Sequence, residues 1–207
     1  MFEKYLNPNT RIYRFMSRAW DLIIVNILTL LTCLPIVTIG ASLSAMHYVL
    51  IRLHRNEEGR ISSNYFSAFR SNFRQGTIFW AIFGVSFLFL WGDWRLIGVY
   101  GKSLPAAVRY AVPAAAFFLF MIMQYIFPLQ ARFENTIAGT FQNAFILSFS
   151  KLIRTVPMAL IWFIPWLLLR HSLMAFPLLL MYGLSLPGYI CTLLYDKVFK
   201  ELEEKST

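Results

Sequence analysis

The chain has 207 residues, of which 58% are hydrophobic and 17% aromatic but only 14% charged, with a formal net charge of +9. Soluble domains carry roughly a quarter of their residues as Asp, Glu, Lys and Arg, and a fold of this size has too little interior to hide so much apolar surface. That composition excludes a soluble domain, and the placement of the basic residues in short clusters at the ends of apolar stretches excludes nucleic acid as the partner. The expected class is all-α, a polytopic membrane helix bundle forming one domain over residues 1–207.

In chain order, residues 1–18 are basic and aromatic. Arg11, Arg14 and Arg18 are spaced i, i+3, i+7 and share one face of a helix, which reads as a short interfacial segment on the inner membrane surface. From Ala19 to Leu53 the only charged residues are Asp21 and Arg52. A single helix over that stretch would run about 52 Å against about 30 Å of hydrocarbon. Pro35 removes a backbone donor and turns Leu34 away from helix, and Gly40 permits a turn. The stretch therefore reads as one span followed by a surface helix, or as a hairpin of two short segments that cross fully or re-enter.

Residues 54–76 follow as a loop and an amphipathic segment. Phe66, Phe69 and Phe73 recur at i, i+3, i+7 beside Arg70 and Arg74, a pattern that suits an interfacial helix at headgroup level. These five residues are the candidate cytoplasmic interface. Four further spans are expected within 77–195, near Thr77–Leu96, Pro105–Leu129, Thr155–Leu169 and Met174–Tyr195, and 196–207 form a charged tail. Between the second and third of these, Phe141, Phe145 and Phe149 lead towards Lys151 and Arg154 in a similar amphipathic design.

Positive charge chooses between five spans and six. With the hairpin, fifteen Lys and Arg lie on the side of the N-terminus and four on the other; with five spans the split is eight to eleven. Excess Lys and Arg mark the cytoplasmic side. Six segments with both termini in the cytoplasm, in the plasma membrane and facing anionic headgroups, is the expected topology.

No Gly-rich phosphate loop, zinc-protease helix, nucleophile elbow or pair of carboxylates within one span occurs, so no catalytic residue, cofactor or metal ligand is assigned and the chain reads as a non-enzyme. Cys33 and Cys191 both lie in apolar segments and suggest neither a disulfide framework nor a metal site. The candidate polar positions of the membrane interior are Asn26, His47 and Gln124. Such residues line polar paths or hydrogen-bond between helices, and His47 alone of the three titrates near neutrality.

Four runs carry a family resemblance: Phe15-Met-Ser-Arg-Ala-Trp-Asp-Leu22, Cys33-Leu-Pro-Ile-Val-Thr-Ile-Gly-Ala-Ser42, Leu53-His-Arg-Asn-Glu-Glu-Gly59 and Phe66-Ser-Ala-Phe-Arg-Ser-Asn-Phe-Arg-Gln75. Over residues 1–80 the chain resembles the YesL-like family of bacterial integral membrane proteins, a domain of unknown function. The resemblance implies no catalytic residues. It implies a context, because such proteins commonly accompany carbohydrate ABC-transport genes, and hence an accessory or regulatory role in carbohydrate uptake beside permease subunits. The other expectation is a small solute transporter or channel acting as an oligomer.

Overall fold

A computed structural model describes residues 11–57, 59–100 and 105–206, and all the regular structure among them is helical. Lys4, which precedes Arg11, lies outside the described part. The helices are α1 (Arg11–Cys33), α2 (Ile39–Arg55), α3 (Ile61–Tyr100), α4 (Ala106–Arg132), α5 (Ile137–Ser150), α6 (Leu152–His171), α7 (Phe176–Tyr182) and α8 (Ser185–Ser206). By length and composition, Ile12–Cys33, Ile36–Arg55, Ile61–Tyr100, Arg109–Arg132 and Leu152–His171 each suffice to cross a membrane. Leu173–Tyr182 with Ser185–Glu204, bent by 55° at their junction, make a sixth if taken as one span.

The hairpin forms where the breakers lie. α1 stops at Cys33, two residues before Pro35, and one turn of 3-10 helix (Ile36–Thr38) feeds α2. α2 ends at Asn56, whose left-handed backbone (φ 56°) lets its N–H return to the Arg52 and Leu53 carbonyls; asparagine tolerates that conformation better than most residues. The Arg18 guanidinium donates to the Asn56 side chain, so the start of α1 lies beside the end of α2 and the two helices are antiparallel.

Two features depart from the sequence reading. The amphipathic segment is not a separate surface helix but the opening turns of α3, a continuous helix of 40 residues. At 1.5 Å per residue α3 is about 60 Å long, twice the hydrocarbon thickness. Its register with the hairpin is fixed by two contacts. The Thr77 hydroxyl donates to the Val37 carbonyl (3.3 Å), and the backbone of Gly40 lies directly on that of Gly76. The hairpin tip thus meets α3 where the expected span Thr77–Leu96 begins, and residues 78–100 run on beyond the tip for about 35 Å. Second, the last expected span, Met174–Tyr195, is broken at Gly183–Leu184 between α7 and α8.

Four further prolines lie within unbroken helices: Pro113 and Pro128 in α4, and Pro157 and Pro165 in α6. α3 past the hairpin packs on α4, and Phe120 of α4 meets Phe163 of α6 with ring centroids 6.1 Å apart. The core holds Phe79 and Phe83 from α3, Tyr125 and Ile126 from α4, and Tyr195 and Phe199 from α8. Outward, α3 and α6 leave Leu88, Phe89, Trp91, Leu160 and Trp166 exposed, the condition expected of faces solvated by lipid.

Candidate functional site

Two polar assemblies stand out, one at an end of the bundle and one in its interior. At the end, Asp196 of α8 is 1% exposed and accepts from Arg55 Nε of α2 at 2.8 Å, with Arg55 Nη2 in ion-pair contact at 2.7 Å. Lys200 and His54 approach its other oxygen at 3.3 and 3.5 Å. Arg55 also reaches Glu203 (3.1 Å), which Arg132 at the end of α4 holds at 2.7 Å, and Lys151 pairs with Glu201 at 3.3 Å. The ends of α2 and α4, the α5–α6 junction and α8 are thereby tied at one face of the molecule. Three of the basic clusters that the charge count assigns to one side of the membrane, those after α2, after α4 and along α8, meet in this network.

The interior assembly surrounds a cavity of about 300 Å³. Its walls come from helical repeats. Ile39, Leu43 and His47 fall on one face of α2 at i, i+4, i+8, and Phe120, Met123, Gln124 and Phe127 on one face of α4 at i, i+3, i+4, i+7. Trp80 of α3, Trp162 of α6, Cys33 and Leu184 complete the lining. The walls are mostly apolar and rich in aromatic rings, with His47 and Gln124 as the side chains that bring strong hydrogen-bonding groups, which is the usual composition of a small-molecule pocket.

The three candidate polar positions meet different fates. Asn26 is fully buried and is structural: its amide Nδ2 donates to the Leu180 carbonyl (2.8 Å), and its Oδ1 accepts from the backbone N–H groups of Leu184 and Ser185 (2.8 and 2.9 Å). Those backbone groups are freed by the break between α7 and α8, and in a lipid environment each unsatisfied one would cost several kcal/mol. Asn26 makes the break tolerable. His47, 5% exposed, bonds through Nδ1 to the Tyr195 hydroxyl (3.0 Å), which in turn meets Thr192 Oγ1 (2.8 Å). Gln124 is 7% exposed, and neither its Oε1 nor its Nε2 has a hydrogen-bond partner among the described residues. Gln130, two turns further along α4, accepts from Ser44 (3.0 Å) and donates to the Asn72 carbonyl (3.1 Å). Gln124 is the exception on its helix.

Four of the five candidate interface residues share exposure to the surroundings, and their neighbours turn inward. Tyr65 and Ala68 turn inward and are buried, with the Tyr65 hydroxyl on Thr32 Oγ1 at 2.7 Å. Phe69 is half-buried against the hairpin core, while Phe66, Arg70, Phe73 and Arg74 stay exposed. Sequence reasoning missed Asp196, Tyr195 and Gln130. For Asp196 a signal existed, a carboxylate next to the end of the last apolar segment, on the side where positive charge collects; for Gln130 nothing local distinguishes it from Gln124.

Residues 22–94, from within α1 to the outer part of α3, match the model of a family described as a protein of unknown function, DUF624. The resemblance of the N-terminal region to the YesL-like family is consistent with that match. No curated protein and no solved structure matches the chain.

Proposed function

We propose, from the premise of a DUF624 region spanning the hairpin and most of α3, that the chain is a non-catalytic protein of the plasma membrane with cytoplasmic termini. In this reading it serves as an accessory or regulatory component of carbohydrate ABC-type uptake and works through contacts with permease subunits. The supporting observation is α3: a helix about twice as long as the bilayer is thick, with Phe66, Arg70, Phe73 and Arg74 exposed before the hairpin tip and Leu88, Phe89 and Trp91 exposed beyond it. Arginines beside aromatic rings suit anionic headgroups, and the long apolar flank suits helix-to-helix contact within the membrane. Affinity purification of the full chain from its own membranes in mild detergent is expected to bring down permease subunits, and the purified chain in liposomes is expected to pass no sugar. Sugar flux by the chain alone overturns the accessory reading in favour of a small transporter acting as an oligomer, the alternative that the interior cavity favours.

The cytoplasmic placement of the ion-paired end has its own check. In a background without Cys33 and Cys191, a membrane-impermeant thiol reagent applied to intact cells should label Ser103→Cys and leave Asn64→Cys unlabelled. Labelling of Asn64→Cys would invert or break the topology.

A further inference from the structure

We infer that the cavity between α2, α4 and α6 is a binding site for a neutral lipophilic alcohol, a molecule with an apolar ring or chain and a hydroxyl head. The inference is independent of the accessory reading, since it concerns what the bundle interior holds and not what the outer faces contact.

Hydrogen-bond counting around His47 defines the chemistry. Thr192 Oγ1 lies 2.9 Å from the Gly188 carbonyl and 2.8 Å from the Tyr195 hydroxyl, and its one proton can go to either. Where Thr192 donates to Gly188, Tyr195 donates to Thr192 and accepts from His47 Nδ1, and Nε2 is a bare acceptor; where Thr192 donates to Tyr195, Tyr195 donates to Nδ1 and Nε2 carries the proton. A hydroxyl, which both donates and accepts, suits Nε2 of this cavity-lining side chain in either case. Gln124 adds a donor and an acceptor, both without a partner among the described residues. A buried amide with neither end bonded carries a desolvation cost that a suitable ligand would remove.

One functional group satisfies this set with the fewest atoms. A hydroxyl donates to His47 Nε2 or Gln124 Oε1 and accepts from Gln124 Nε2. A carboxylate or an ammonium is excluded by the cost of burying a charge with no counter-ion on the walls. A free sugar suits the site less well, because most of its hydroxyls would find no partner beyond His47, Gln124 and the two indole N–H groups. The rings of Trp80, Phe120, Phe127 and Trp162 instead suit the apolar body of an alcohol.

The purified full chain in detergent, titrated with 4-hexylphenol and with its methyl ether 4-hexylanisole, tests this through tryptophan fluorescence, since Trp80 and Trp162 form part of the wall. Saturable binding is expected for the phenol, up to about tenfold tighter than for the ether, which keeps an acceptor oxygen but has no proton to donate. Gln124→Leu should weaken phenol binding about tenfold, since the donor and the acceptor of the amide are both lost, while saturable binding against the aromatic walls remains. That variant removes two unpaired buried polar atoms, so it should fold at least as well as the parent chain. Partition into micelles is common to all variants and cancels between them for one ligand; between the two ligands it is measured in protein-free micelles and subtracted. Equal affinity for phenol and ether, phenol affinity unchanged by Gln124→Leu, or no saturable binding of the phenol overturns the inference.

Discussion

Arg55→Met should be among the most destabilising single changes in the chain, costing about 3–5 kcal/mol, the range for removing one partner of a buried ion pair. Asp196 is 1% exposed and Arg55 10% exposed on the side chain. With Arg55 gone, the carboxylate keeps only Lys200 and His54, at 3.3 and 3.5 Å on its other oxygen, and Glu203 loses one of its two arginines. The loss also loosens the joint between the end of α2 and α8, where His54, on Asp196 at 3.5 Å and against the Tyr189 ring, would remain. Arg55→Met combined with Asp196→Leu should recover much of the loss, since replacing both ions leaves no uncompensated charge. Thermal unfolding of the three variants in detergent is the measurement. A double variant no better than the sum of its singles would mean that the pair contributes nothing as a pair.

Gly40→Ala should disrupt the hairpin tip by about 1–3 kcal/mol or more, the usual range for overpacking. A Cβ added at Gly40 would lie 2.0 Å from the Gly76 carbonyl oxygen and 2.9 Å from the Trp80 Cβ, and one added at Gly76 would lie 2.8 Å from the Ala41 nitrogen. Backbone cannot rotate away as a side-chain tip can, so α2 and α3 must move apart, taking with them the Thr77–Val37 bond and the mouth of the cavity at Ile39 and Trp80. Gly84→Ala and Gly92→Ala on the same α3 are the controls. Nothing lies within 4 Å of a Cβ at either position, and alanine is favoured over glycine in a helix by up to about 1 kcal/mol. Gly40→Ala and Gly76→Ala should lose the monodisperse detergent-solubilised species while Gly84→Ala and Gly92→Ala retain it; equal recovery of all four would show that the close approach is dispensable.

The Gly40–Gly76 contact also explains a feature of the sequence. Two of the segments that carry the family resemblance, Cys33–Ser42 and Phe66–Gln75, are separate on the chain but end on each other in space, the first through Gly40 and the second through the residue that follows Gln75. Their spacing is set by one interhelical approach. Gln130 of α4 is joined to the same junction through Ser44 and the Asn72 carbonyl.

What the sequence alone determines is local. Apolar runs of sufficient length give the spans, Pro35 gives the end of α1, and the fifteen-to-four split of positive charge assigns the ends of the helices to two sides. Each depends only on a residue and its near neighbours, or on a solvent that treats all spans alike. Even the choice of Asn26, His47 and Gln124 is local, since a polar side chain in an apolar run is visible without knowing its partner.

Which of the three is structural is decided by tertiary contacts. Asn26 is bound to a helix break more than 150 residues away, His47 to Tyr195 at nearly the same separation, and Gln124 to nothing described. The continuity of α3 through Gln75–Thr77 was equally invisible, because an amphipathic stretch followed by an apolar one reads as two elements until both are packed. Local free energies fix where helices begin and end. Only packing, where two glycines permit backbone contact and one buried carboxylate must find its arginine, sets the register between them and leaves one amide facing a cavity.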